Sequence, residues 1–229
     1  MNSMPMITYQ FLEEKYVESA IDCILETKIQ NGSVGEAMQL TREQLEQSTR
    51  SMFQNQKIFE NTYIAVDQSK ENFVAGIVIF VEYYDYLDYL STPSEDSQLD
   101  MNRIVLLKAS ETQIKFNYNP GDFLVFMSFG VRKGYENQKI GHYILYKCYN
   151  QALNKGYCYL GGVIYNPKSG HICQKYGAKI VGVYSLQQMS DLNQNLTKFL
   201  QNDIYFIRLT IQENISKQNS EYVSEQPRL

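Results

Sequence analysis

The chain has 229 residues, 44% of them apolar and 20% charged, enough to bury a sizeable core without disulfide or metal staples. A formal charge of -4, a pI near 5.3 and the lack of any basic run exclude a surface built to neutralise a phosphate backbone, so no nucleic acid is expected as a partner. Cys23, Cys148, Cys158 and Cys173 form no C-x-x-C pair and only His142 and His171 offer imidazole, so no metal site is expected and the thiols read as buried groups.

The opening "MNSMPMITYQFLEEKYV" lacks the basic start and apolar core of a secretory leader, and no apolar run reaches the length of a membrane span. The expectation is a cytoplasmic or other intracellular, reducing location, not secretion. "MITYQFLEE" alternates as a first strand. Val17, Ala20, Ile21, Ile24 and Leu25 then recur at helical spacing. Thr41 followed three residues later by Gln44 fits a capping box that starts a second helix, running to about Phe53. "NTYIAVDQSKENFVAGIVIFVEYY" reads as a hairpin, with Ser69 to Asn72 as its turn.

From Tyr84 to Asp122 the periodicity weakens, and the segment 84–122 is expected to be an insertion or long connection containing one helix near "MNRIVLLKASETQIK". In "VEYYDYLDYL", Tyr83, Tyr84, Tyr86 and Tyr89 beside Asp85 and Asp88 suit an aromatic ammonium, or alternatively plain packing with exposed aspartates. Regularity returns with the strand "FLVFMSFGV", a helix from Ile140 to about Lys155 and the strand "YCYLGGVIY". A short helix from Pro167 to Tyr176 and the strands "KIVGVYSL" and "NDIYFIRLTI" follow. Alternation of strand and helix here implies parallel pairing. Residues 213–229 are polar and aperiodic, a tail beyond a single domain spanning 1–212.

Between Val131 and Gly141 a strand enters a loop and then a helix. Such a junction leaves backbone N–H groups unpaired at the positive end of the helix dipole, a place for an anion such as a pyrophosphate. The later stretch "NPKSGHICQKYGAKIVG" supplies a second helix ended by Gly177 before a strand. The order of elements and these two stretches resemble the GNAT superfamily of acyl-CoA N-acyltransferases, and the early helices with the mid-chain insertion resemble its arylalkylamine branch. That family's phosphate loop is Gln/Arg-x-x-Gly-x-Gly/Ala in a context like V-R-P-x-Y-R-G-K-G-I-G. Aligned on Val131, Arg132, Tyr135, Ile140 and Gly141, this chain puts Glu136 at the Arg/Gln position and Lys139 at the first glycine, and keeps the last as Gly141. Asn166, Ser169, Ile172, Lys175 and Gly177 match the family's N-x-x-A-x-x-L-Y-E-K-x-G-F stretch, with Ala178 in place of the phenylalanine.

The resemblance implies an α/β (α+β) fold: a mixed, largely antiparallel sheet flanked by helices, with a splayed parallel pair at the cofactor site. It implies acetyl-CoA as donor and a small or protein-borne amine that attacks the thioester directly. Phe129, Gly130 and Val131 would offer backbone groups to thioester and pantetheine; Glu136, Asn137, Gln138, Lys139, Ile140, Gly141 and Asn166 would complete the cofactor site. Glu36 falls in the region of the branch's glutamate, Ser169 matches one of its serines, and Cys173 stands where many relatives carry a proton-donating tyrosine. Each also has a plain reading: a solvated glutamate near a helix start, a capping or packing serine, a buried inert thiol.

The departures have physical consequences. Glu136 sets negative charge toward phosphate unless it turns away, and Lys139 costs about 1–2 kcal/mol if its backbone is left-handed. Arg132, Lys133 and Lys139 keep the neighbourhood positive. Two expectations therefore stand side by side: an N-acetyltransferase, or a protein of the same fold with weak or lost activity and lost coenzyme A binding that serves as a structural subunit of a larger assembly.

Overall fold

A computed structural model of the chain describes residues 5–30, 39–93, 96–114, 118–192 and 204–211. The described strands are β1 (Ile7–Phe11), β2 (Thr62–Asp67), β3 (Phe73–Glu82), β4 (Phe123–Val131), β5 (Tyr159–Ile164), β6 (Lys179–Tyr184) and β7 (Ile204–Thr210). They form one sheet in the order β1-β2-β3-β4-β5-β7-β6, in which only β4 and β5 pair in parallel.

The helices α1 (Val17–Gln30), α2 (Arg42–Phe53), α3 (Gln56–Glu60), α4 (Tyr83–Ser91), α5 (Ser97–Ile114), α6 (Ile140–Asn154), α7 (Pro167–Lys175) and α8 (Leu186–Leu192) flank this sheet. Among the described residues, no helix is long and apolar enough to cross a membrane. The mixed, largely antiparallel sheet and its one parallel pair are those expected from the sequence.

Alternation along β3 explains the two layers. Ile77, Ile79 and Val81 pack on one face with Ala20, Ile21 and Ile24 of α1 and with α4 and α5; Val78 and Phe80 pack on the other with Ile140, Ile144 and Leu145 of α6. Each such aliphatic side chain contributes about 1.5–3 kcal/mol by leaving water. The capping box also forms: Thr41 Oγ1 accepts from the Gln44 N–H at 3.2 Å, and Gln44 Oε1 from the Thr41 N–H at 2.8 Å. In the β2–β3 turn, Asp67 Oδ1 accepts from the Ser69 N–H at 2.9 Å.

The segment 84–122 holds two helices where the sequence suggested one. "YYDYLDYLS" is helical, because Glu82 caps the Tyr84 N–H at 2.7 Å and Tyr83, Tyr86 and Leu90 recur at helical spacing on a buried face. Tyr83 stacks on Phe123 with ring centres 5.4 Å apart, and Asp85 pairs with Lys57 at 2.8 Å. These tyrosines and aspartates do not surround a common space; they are core on one side and surface on the other. With α5 they complete the layer over β4 to β7.

Candidate functional site

The sheet comes apart between β4 and β5. The two strands pair only over Phe123–Val125 and Tyr159–Gly161, after which β4 runs six residues further without its partner. A bulge in β4 marks the spot: Ile79 faces Ser128 while Phe80 faces Phe126, so Met127 is an extra residue that bends the strand. The Phe126 ring fills the vertex. A Cβ on Gly162 would stand 2.6 Å from that ring and 2.8 Å from the Phe126 carbonyl oxygen, so the close approach requires glycine.

The gap opens into a cleft of about 830 Å³ that reaches the start of α6. Phe129, Gly130 and Val131 line it, but not equivalently. The Arg132 N–H donates to the Ala75 carbonyl at 2.9 Å, so antiparallel alternation turns the backbone groups of Gly130 toward β3 and those of Phe129 and Val131 toward the opening. Those two residues therefore direct their N–H and C=O groups into the opening, with no strand paired to them on that side among the described residues.

At the other end the loop before α6 is held in place by Tyr135, whose hydroxyl donates to Asp67 Oδ2 at 2.5 Å. Lys70 lies over the rings of Phe73 and Tyr135. Burial works to raise the Asp67 pKa, but hydrogen bonds from Ser69 and Tyr135 and the charge of Lys70 outweigh it and hold the carboxyl below its ordinary value. Arg132 is drawn away from the cleft: its guanidinium covers Phe73, donates to the Ser19 carbonyl at 2.9 Å and pairs with Glu26 at 3.4 Å. It ties α1 to the end of β4.

Lys139 does adopt the left-handed conformation, at φ 61°, as does Asn137 at φ 62°. Lys139 is the N-cap of α6 and provides no side-chain cap, and the first turn carries no carboxylate. The first-turn N–H groups of Ile140, Gly141 and His142 have no intrahelical acceptor, and all three residues line the cleft. Backbone groups left open in this way can hold an anion. Asn137 and Lys139 also line the cleft. Glu136 does too, but its carboxylate bends back to accept from the Gly134 N–H at 3.4 Å. Gln138 does not line the cleft; its amide donates to the Gly134 carbonyl at 3.1 Å.

α7 closes the cleft from above. Asn166 caps it by accepting from the Lys168 N–H at 2.9 Å, and Asn166 and Ser169 both line the cleft. So do Lys168, His171, Ile172 and Lys175, the face at i, i+3, i+4 and i+7. Cys173 is one step further round the helix and points the other way. It is 1% exposed, packs between Phe126, Leu145, Leu160 and Leu209, and burial pushes its thiol up to about 12. Its assignment as a proton donor to the cleft is therefore corrected: it is a core residue. The Tyr176 hydroxyl donates to the His142 carbonyl at 3.0 Å and fixes α7 on α6. Burial, helped by the charges of Lys175 and Lys139, lowers the His142 pKa, so its imidazole is neutral at pH 7.

On the opposite face of the sheet the gap is bordered by the end of α1 and by the residue after β5. Thr27 sits directly on Gly130, where a Cβ would meet it at 2.7 Å. Lys28 and Tyr165, both half-buried, line the cleft beside it. Burial raises the Tyr165 phenol, so it stays protonated across the neutral range. The sequence reading passed over both residues. The only signal for Tyr165 was its place next to Asn166 at the end of a strand, and Lys28 gave none. Glu36 and residues 213–229 lie outside the described residues.

No family model matches the sequence, and no curated protein matches it in sequence. In structure the chain is similar to arylalkylamine N-acetyltransferase 7 of the mosquito Aedes aegypti, with a TM-score of 0.72 and 13% identity over 90% of this chain and 87% of that one. It is similar to the polyamine N-acetyltransferase of Drosophila melanogaster, with a TM-score of 0.70 and 10% identity over 90% and 100%. It also resembles a chain of the NatC complex bound to Gag peptide and CoA, with a TM-score of 0.53 and 13% identity over 89% and 98%. At these identities the likeness is one of fold, and the fold is that of the GNAT acetyltransferases.

Proposed function

We propose that this chain is an N-acetyltransferase that takes acetyl-CoA as donor and an amine as acceptor. The observation that carries the proposal is that one cleft joins two backbone-made sites: the parted strands β4 and β5, and the uncapped start of α6. Neither depends on the side chains that depart from the family pattern. Mosquito and fly proteins of this fold bear the names of amine acetyltransferases, and NatC holds CoA, which supports the same assignment here.

The residues present fit coenzyme A. N–H groups of Ile140, Gly141 and His142, with the ammonium groups of Lys139, Lys168 and Lys175 nearby, suit its phosphates; the free backbone of Phe129 and Val131 suits the amide-bearing arm. When bound, acetyl-CoA supplies an activated acyl group. The chain's own part is to orient and to manage charge and protons. A β4 N–H directed into the gap would polarise a carbonyl placed there, and the Tyr165 hydroxyl, held protonated and lining the cleft, would serve as proton donor to a leaving thiolate. His142, kept neutral, and Ser169 are placed to relay protons at the α6 and α7 side.

The acceptor is a small amine or a protein amine that approaches from the α1 face. The alternative, a scaffold subunit that has lost donor binding, rests on Glu136 and Lys139 in the loop and on the buried Cys173 in the place of a proton-donating tyrosine. In the structure Glu136 is bent back on Gly134 and Lys139 supplies the left-handed turn that glycine would have supplied. A panel of small amines and N-terminal peptides, assayed with acetyl-CoA by thiol release, tests the proposal. Amine-dependent release is the expected result; no donor binding and no release with any acceptor would favour the scaffold.

A further inference from the structure

The last turn of α1 brings a lysine to the cleft from the side opposite the phosphate site. Thr27 is wedged on Gly130 of β4, and the next residue, Lys28, lines the same opening as Phe129, Gly130 and Tyr165. Cations usually meet a carboxylate in such a place. Lys28 has no hydrogen-bond or ion-pair partner among the described residues, whereas Arg132, just after β4, takes up the nearby Glu26. The sheet's alternation places the open backbone of β4 between Lys28 and the loop before α6. An acyl thioester anchored at that loop and threaded along β4 ends in the gap, where the chain itself presents a primary amine.

We propose that Lys28 is an acetyl acceptor in its own right, modified by the acyl thioester bound in the cleft. The inference rests on the acetyl-CoA reading above and deepens it by naming an acceptor that is part of the chain. The neutral Nζ of Lys28 attacks the thioester carbonyl carbon, the C–N bond forms, and the C–S bond breaks with its electron pair leaving on sulfur. The proton lost from nitrogen passes to that thiolate, so the products are Nε-acetyl-Lys28 and free coenzyme A. No oxidant or further reactant is needed. Burial supports the step, since it lowers the Lys28 amine to about 8 and leaves far more of it unprotonated near neutral pH than for an ordinary lysine. Once acetylated, the side chain is neutral, and the α1 end of the cleft loses its positive charge.

The test incubates the whole chain with acetyl-CoA and maps acetylated lysines by peptide mass spectrometry, with calorimetry of acetyl-CoA binding run alongside. Lys28 should be acetylated at least about tenfold faster than the exposed Lys133 and Lys179, and excess coenzyme A should suppress Lys28 selectively. A second readout needs no turnover. Acetic anhydride should label Lys28 in the free chain, and coenzyme A should shield Lys28 while leaving Lys133 and Lys179 as reactive as before. Lys28→Arg should remove the fast adduct and keep donor binding. Binding by calorimetry with Lys28 no faster than Lys133, or no shielding, would overturn this inference and leave the acetyl-CoA reading intact. Absence of binding would overturn both.

Discussion

The two ends of the cleft are built by different means. At the parting of β4 and β5 the working groups are backbone N–H and C=O of Phe129 and Val131, positioned by a bulge at Met127 and a close approach at Gly162. At the start of α6 the working groups are also backbone N–H, but they depend on a loop whose shape is held by side chains: Tyr135 on Asp67, Lys139 in a left-handed turn, Glu136 folded back on Gly134. The first end tolerates drift in side chains as long as glycine stays where strands touch. The second carries its departures from the family motif as local strain and local charge, each of which can be altered singly.

The largest expected effect lies at the vertex. Gly162→Val should cost about 3 kcal/mol in urea denaturation and abolish acetyl-CoA binding, because the new side chain meets both the ring and the carbonyl of Phe126. Stability unchanged from the wild type would show that the strands do not approach as described. Next in size, Tyr165→Phe should lower kcat about a hundredfold with donor affinity unaltered. Equal losses in binding and turnover would make Tyr165 a packing residue instead.

At the loop end, effects should be smaller. Tyr135→Phe and Asp67→Asn should each cost about 1–2 kcal/mol of stability and weaken coenzyme A binding. The pH dependence has a definite sign. The Asp67 pKa lies below the ordinary carboxylate value of about 4, so its contribution is complete above that pH and vanishes as pH falls through the lower folded value. The stability gap between wild type and Asp67→Asn, measured by urea, should therefore close in strong acid; a gap that widens there would contradict the hydrogen-bond geometry. Smallest of all, Lys139→Gly combined with Glu136→Arg should tighten coenzyme A binding by about tenfold or less, by relieving a left-handed lysine and reversing a charge. Weaker binding in the double variant would mean that the Lys139 ammonium contributes more than its strain costs.

Much of the fold was legible because it is written in local periodicity. The helix of Val17, Ala20, Ile21, Ile24 and Leu25, the Thr41–Gln44 box and the hairpin at Ser69–Asn72 are short-range patterns, and each formed. "YYDYLDYLS" misled because tyrosines favour strands and the helix begins directly after β3, with only the Glu82 cap to announce it. The lining of the cleft was legible where it follows the chain, at Val131, Asn137, Lys139 to Gly141, Asn166 and Ser169, though not at Gln138. It was not legible where it depends on which way a helix faces or on a distant partner. Cys173 aligned with a family position and turned into the core, Arg132 was claimed by Ser19 and Glu26, and Lys28 reached the cleft only because α1 packs on Gly130.

The most direct test of the central claim is calorimetric titration of the whole chain with acetyl-CoA, paired with thermal unfolding in the same buffer. The account predicts saturable one-to-one binding, with about 2.7 kcal/mol of added stability at a ligand concentration near 100 times the dissociation constant. No heat of binding and no shift in Tm at millimolar ligand would contradict it, and the opening between β4 and β5 would then be a feature of the fold without a donor to hold.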